Sequence, residues 1–190
     1  AKVDLPTETP SFKAWFGDSK VVDDQGQPLV VYHGTGADFQ EFHSKRNGLI
    51  FFSTEAGFAQ EYAEDSPFVH GEVKVMPVYL SAQNPWDYRN PQHVSGLIKS
   101  LEAQGIEIDD HYRESIEDGD WMAIEQGRGA LEAVLAMGHD GIWLTEGSDM
   151  TRNIAVFSSN QIKSAIGNNG DFDSASPDIR FSVGHSADQV

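Results

Sequence analysis

The chain has 190 residues, 39% of them hydrophobic, and a formal net charge of -17 from 30 acidic and 13 basic side chains. This length suits one domain with a full core, and the charge argues against a broad basic face for DNA or RNA. Without cysteine, and with no two histidines at helical ligand spacing, we expect no metal. No apolar run approaches the ~20 residues of a membrane span, so we expect a cytoplasmic protein without membrane contact.

In chain order, residues 1–10 look like a flexible leader, and residues 11–166 carry the patterns of the folded domain. The first strong element is the strand Leu29–Thr35, which ends with His33 and Gly34. Polar groups at the end of a buried strand are well placed for binding. Gly34 lets the backbone turn sharply or lets a ligand lie against it.

A second apolar strand, Leu49–Ser53, precedes a predicted helix. Ser53 or Thr54 can cap this helix, and Tyr62 lies on its apolar face. Strand, turn and helix together predict a second wall for a site. Since Phe51 and Phe52 alternate along one strand, at least one of them is expected in the core.

Residues 84–138 are predicted to form an inserted helical layer. Strands return at Gly141–Thr145 and Asn153–Phe157, and 167–190 is rich in Gly, Asn, Asp, Ser and Pro, which predicts a polar surface tail. Three further side chains are interpreted as structural: Trp121, Glu125 and Trp143.

Familiar catalytic motifs are missing. The glycines at 34 and 36 lack the third glycine of a dinucleotide fingerprint, because Phe39 stands in its place. There is no lysine after a glycine loop and no Gly-x-Ser-x-Gly elbow. The candidates that remain are His33 and the aromatic residues around it.

Several blocks, taken together and in order, carry a resemblance to a known family. They are Tyr32–Thr35, Leu49–Ser53 with Tyr62 downstream, Asn153–Phe157 and Gln161–Lys163. They resemble the ADP-ribosyltransferase superfamily, in the branch with a His-Tyr-Glu triad. The resemblance is greatest to such domains in polyvalent proteins of phages and mobile elements, and it spans roughly residues 11 to 182.

The resemblance implies an α+β fold: a split, mostly antiparallel arrangement of two facing sheets, with NAD held between them as substrate. It implies that His33 binds the ribose of NAD and that the backbone of Gly34 clamps the nicotinamide carboxamide. Phe51 occupies the place of the family's first tyrosine, and Tyr62 that of the tyrosine which stacks on nicotinamide. The resemblance puts the remaining NAD-contacting residues at Thr35, Phe52, Ser53 and Thr54.

One position departs from the family pattern. The glutamate that binds the ribose 2′-hydroxyl is replaced by Asn153, which can hydrogen-bond a ribose but brings no charge to a developing cation. This argues against chain-forming polymerase activity. Glu146, in the loop upstream, could reach the site instead, and we favour Asn153 because its strand alignment is firmer.

The sequence thus favours a mono-ADP-ribosyltransferase that uses NAD and modifies a host protein, acting in the host cytosol if the gene is phage-borne. The alternative is a non-catalytic, degenerate transferase domain that binds NAD or a partner within a larger phage protein. A third idea, that the acidity mimics nucleic acid, is disfavoured because the acids are scattered along the chain.

Overall fold

The computed structural model describes residues 6–36, 42, 48–67, 69, 71–125, 127–166, 168, 170 and 172–180. The first part of the predicted leader, 1–5, and the last part of the predicted tail, 181–190, lie outside these residues. None of the helices in the described ranges combines the length and apolar character needed to cross a bilayer.

Six strands form one sheet in the order β4-β5-β2-β1-β3-β6, and every neighbouring pair is antiparallel. The strands are β1 (Val31–Thr35), β2 (Ile50–Ser53), β3 (Lys74–Leu80), β4 (Gly141–Glu146), β5 (Thr151–Val156) and β6 (Ile162–Ser164). The α+β class is confirmed, whereas two separate facing sheets are not seen in the described residues. The central joint between β1 and β2 is narrow, with Tyr32 and Ser53 as its registered pair.

Six α-helices surround the sheet in the described part of the chain. They are α1 (Pro10–Phe16), α2 (Ala56–Asp65), α3 (Pro91–Ala103), α4 (Asp110–Glu117), α5 (Trp121–Glu125) and α6 (Ala130–Ala136). Side-chain caps start α3 and α4, where Asn90 and Asp109 accept hydrogen bonds from the backbone of the first turn. Because α3 to α6 fall between β3 and β4, they form the predicted helical insertion.

Alternation along β5 divides the core into two sides. Ala155 packs with the helical layer, whereas Ile154 and Val156 pack with strand residues on the opposite face. The helical side is completed mainly by Leu97, Leu101, Ile116, Ile124 and Val134, and the other side by Val31, Phe52, Val78, Leu80 and Trp143. Asn153, two residues before Ala155, therefore faces the helical side.

Part of the segment predicted as a surface tail is buried. Phe172 and Ile179 are each 2% exposed. Phe172 joins an aromatic cluster with residues of α1, including Phe12 and Trp15. Burial of these apolar side chains fixes the segment 172–180 to the sheet.

Lys163, on β6, binds the same segment through hydrogen bonds. Its side chain is 0% exposed, and its Nζ donates to the carbonyl oxygens of Ser176 and Asp178 at 2.8 Å each. Burial lowers the pKa of Lys163, and the negative charges of Asp173 and Asp178 oppose this shift. The ammonium group is thus a buried polar tie between β6 and the segment 172–180.

Replacing this tie tests its contribution to stability. Lys163→Met keeps the length of the side chain but leaves two buried carbonyls without a donor, so we expect a loss of about 2–4 kcal/mol in the free energy of unfolding. Denaturant unfolding measures the loss. The exposed Lys99→Met should change stability by no more than about 0.5 kcal/mol. Equal stability of the two variants would show that Lys163 contributes nothing.

Candidate functional site

Asn153 lies on β5, the strand next to the edge strand β4, on the face of the sheet covered by the helical layer. It pairs in register with Ser53 on β2 and with Leu144 on β4, so the three side chains share one face. Asn153 is only 2% exposed. A buried amide at this position needs polar partners, because an unpaired buried polar group costs about 1–3 kcal/mol.

Asn153 finds one partner and lacks another. Its Nδ2 donates to Oε2 of Glu146, at the end of β4. A carboxylate oxygen accepts, so this bond fixes which end of the amide is nitrogen. The amide oxygen Oδ1 is buried and has no hydrogen-bond partner among the residues that the structure describes. The site therefore presents an oriented acceptor beside a carboxylate.

Glu146 has an environment that favours its neutral form. Burial raises the pKa of Glu146 and the negative charge of Glu125 adds to this, while the hydrogen bond from Asn153 works in the opposite direction. The net effect is a raised pKa. A half-buried carboxyl group with a shifted pKa and a defined partner is typical of functional sites.

Tyr62 brings α2 into the same group of side chains. Burial raises the pKa of its phenol, and the charges of Glu146 and Glu125 raise it further. The phenol therefore stays protonated and able to donate. Tyr62 is nevertheless 56% exposed, so much of the residue is open to solvent.

Glu125 is the member that sequence reasoning missed. It ends the short helix α5, and its charge acts on both Tyr62 and Glu146. An acidic residue on a helix is usually a solvated surface group, so no local signal marks it. Glu125, interpreted from the sequence as structural, thus acts electrostatically on two residues of the candidate site.

His33 lies apart from this group. Its Nδ1 donates to the carbonyl oxygen of Phe51 at 2.8 Å, and its ring contacts Phe42 and Phe52 with centroids 4.9 and 5.5 Å away. Since Tyr32 pairs with Ser53, the next residue, His33, points to the opposite face of the sheet. The structure does not bring the His33 side chain together with that of Asn153.

Gly34 makes room for α2. A Cβ at this position would lie 1.9 Å from the carbonyl oxygen of Ala59 and 2.8 Å from Cβ of Ala63. The backbone of β1 and the helix therefore meet at a distance that no side chain permits. The open side of Gly34, expected to receive either a turn or a ligand, is occupied by α2.

The other residues predicted to contact NAD take part in local hydrogen bonds, strand pairing or core packing. Ser53 Oγ accepts from the backbone of Glu55 at 3.1 Å, and Thr54 Oγ1 donates to the carbonyl oxygen of Arg152 at 2.8 Å. Phe51 faces the same side as Asn153 and is partly buried against the helical core. Thr35 ends β1 opposite Lys74, and Phe52 is a core residue.

Beside Glu146 a groove of about 420 Å³ opens to solvent. It is lined by His111, Glu114, Ser115, Asp118, Asp120, Trp121, Met122, Thr145, Glu146, Gly147 and Met150. Its walls are α4, the start of α5, the end of β4 and the turn that follows. The described residues hold no cluster of three or more metal-ligating side chains. The candidate site thus consists of Tyr62, Glu125, Glu146 and Asn153, with the groove at one side.

Comparison with known proteins gives a family. A family model described as "ADP-Ribosyltransferase in polyvalent proteins" matches residues 23–172, which confirms the resemblance found in the sequence. A solved structure titled "Crystal structure of an anti-CRISPR protein" is 16% identical, with a TM-score of 0.43, over 68% of this chain and 89% of that chain. So distant a likeness carries no argument about function. No curated protein matches the chain.

A substitution tests whether position 34 requires glycine because of its close contact with α2 or because of a turn or ligand. Gly34→Ala forces α2 away from β1, so we expect a loss of about 1–3 kcal/mol in the free energy of unfolding. The matched control is Gly57→Ala, in α2 itself. A Cβ at position 57 meets nothing within 4 Å, so this substitution should stabilise the protein slightly. If Gly34→Ala unfolds like the unmodified protein, contact with α2 is not the reason for the glycine.

Proposed function

Because the chain belongs to the family of ADP-ribosyltransferases found in polyvalent proteins, we propose that it cleaves NAD and transfers ADP-ribose to a host protein. The observation that carries the proposal is the hydrogen-bonded pair of the buried Asn153 and the half-buried Glu146, which lies near the exposed Tyr62. This pair supplies both a ribose-binding acceptor and a negative charge. The activity is that of a mono-ADP-ribosyltransferase.

The residues fit NAD as a substrate in one specific respect. The buried Oδ1 of Asn153 lacks a hydrogen-bond donor, and a ribose hydroxyl is such a donor. The ring of Tyr62 offers a flat face for nicotinamide, worth about 0.5–1.5 kcal/mol beyond area burial if it behaves like aromatic pairs. Asn153 thus keeps the ribose-binding role, and Glu146 takes the charge that the asparagine lacks.

The charge of Glu146 matters because cleavage develops positive charge on the ribose. A carboxylate about 4 Å away, at an effective dielectric constant of about 20, is worth about 4 kcal/mol, or roughly a thousandfold in rate. In the reaction the bond between ribose and nicotinamide nitrogen breaks, and its electron pair leaves with nicotinamide. The acceptor's nucleophilic atom bonds to the same ribose carbon, and its proton passes to Glu146.

A second candidate function is a non-catalytic NAD- or partner-binding domain. It is favoured by His33, whose ring lies on the opposite face from Asn153, and by Gly34, whose open side is covered by α2. Calorimetry with NAD distinguishes the two functions. Binding of NAD without any turnover would favour the binding domain, and turnover would exclude it.

The transferase proposal predicts a loss of activity on removing one charge. Glu146→Gln retains a group able to accept from Asn153 but removes the carboxylate, so labelling of host extract by radiolabelled NAD should fall about 100- to 1,000-fold. Glu132→Gln, at an exposed position of α6, is the control and should label normally. Full labelling by Glu146→Gln would remove this carboxylate from the mechanism.

The pH dependence gives an independent test. Because Glu146 acts as an anion and its pKa is raised, activity should fall as pH decreases, beginning above the ordinary glutamate value of 4.5. The hydrogen bond from Asn153 lowers this pKa, so Asn153→Ala should move the acidic limb to still higher pH. NAD hydrolysis measured from pH 4 to 9 records the acidic limb of the unmodified protein and that of Asn153→Ala. An acidic limb that stays in place in Asn153→Ala would contradict the coupling.

A further inference from the structure

The groove beside Glu146 has the size of a binding site for part of a macromolecule. Its volume of about 420 Å³ falls within the range of small-ligand pockets, roughly 300–1,000 Å³. Glu146 lies in its wall and, through the hydrogen bond to Asn153, connects the groove to the buried amide. A molecule in the groove would therefore contact Glu146, one member of the candidate site.

The charge of the groove excludes one occupant and favours another. Four carboxylic acids line it, and its described lining residues include no lysine or arginine: the acids are Glu114, Asp118, Asp120 and Glu146. Such a wall repels the diphosphate of a dinucleotide, so the diphosphate of NAD belongs elsewhere. The same wall attracts a cation.

Apolar side chains accompany the carboxylates. Met122 and Met150 are 54% and 48% exposed, and the partly buried Trp121 also lines the groove. An indole face attracts a guanidinium or ammonium group, and flexible methionines adapt to the aliphatic stem of a long side chain. Acidic and apolar surfaces together match arginine and lysine side chains.

A separate observation concerns Asn153, which does not line the groove but is hydrogen-bonded to Glu146 in its wall. Asn153 is 2% exposed, its amide is directed by Glu146, and its Oδ1 has no partner. A buried acceptor without a donor is costly in a protein on its own, and a bound ligand removes the cost. Glu146, which lines the groove, orients this amide, and the unpaired oxygen is an observation separate from the charge of the groove.

We propose that the groove binds a basic segment of the acceptor protein and presents its arginine or lysine side chain to the centre formed by Glu146 and Asn153. This inference rests on the proposed transferase function and adds the class of acceptor. The carboxylates at the rim, Glu114 and Asp118, guide the segment, and Trp121 packs against the side chain that enters. Acidic segments are repelled by the charge of the groove, and neutral segments gain no attraction from it.

Calorimetry with the full chain tests the binding step without relying on turnover. The probes are three ten-residue peptides of equal length, one rich in arginine, one rich in lysine and one with glutamate at the same positions. We expect the two basic peptides to bind, more weakly as salt increases, and the acidic peptide not to bind. The arginine and lysine peptides show which side chain the groove prefers. Equal binding of all three would overturn the proposal.

Charge reversal then locates the binding. Glu114→Lys with Asp118→Lys should weaken binding of the basic peptides by about tenfold or more. Asp24→Lys with Glu132→Lys changes the net charge equally at exposed positions outside the groove and should weaken it far less. If the reversal prevents folding, Glu114→Gln with Asp118→Asn should weaken binding by a smaller factor in the same direction. Equal weakening by groove and control variants would overturn the proposal.

Turnover distinguishes this inference from the transferase function on which it rests. NAD hydrolysis with no preference for basic peptides as acceptors would overturn the acceptor assignment and leave the transferase function standing. Groove-specific binding of basic peptides without NAD cleavage would overturn the transferase function and support the groove as a docking site. Transfer of label to a basic peptide, lost on charge reversal in the groove, supports both.

Discussion

The hydrogen bond from the Asn153 amide to Glu146 is the constraint on which the candidate site depends. It links the last residue of β4 to a residue inside the paired strand β5, and it orients the amide so that its oxygen is left as an acceptor. The sheet face and the helical layer then exclude water from Asn153. In the proposed transferase, an asparagine and a glutamate from neighbouring strands would share the acceptor and the charge that a single glutamate combines.

This arrangement opposes folding at neutral pH. A raised folded-state pKa means that Glu146 contributes stability in its neutral form, and that this contribution is lost as pH rises through the folded-state pKa. The orphaned oxygen of Asn153 adds a further cost. Burial of the large apolar core on both sides of the sheet offsets both costs. The protein can therefore keep this unfavourable polar arrangement at the place where a ligand would satisfy it.

Local sequence patterns predicted the strands and helices but not the tertiary contacts between them. The apolar runs around 31–35, 50–53 and 153–156 gave β1, β2 and β5, and the family blocks placed Asn153 in a strand. The bond between Asn153 and Glu146, the charge of Glu125 on Tyr62, and the contact of Gly34 with Ala59 depend on tertiary distances, which no local signal contains. The single sheet also escaped prediction, since the narrow joint of β1 and β2 is set by packing.

Both outer strands of the sheet are covered by irregular backbone. Beside β4, the backbone of Trp86 donates to the carbonyl oxygen of Gly141 and accepts from the backbone N–H of Trp143, both at 2.8 Å. The backbone N–H of Thr145 donates to the carbonyl oxygen of Gly119 at 2.8 Å. Beside β6, Ser164 donates to the carbonyl of Ile179 at 2.8 Å. Covered edges leave few open backbone groups for the strands of another chain, which protects against edge-to-edge aggregation. A partner that approaches this sheet must therefore be recognised through side chains rather than by strand addition.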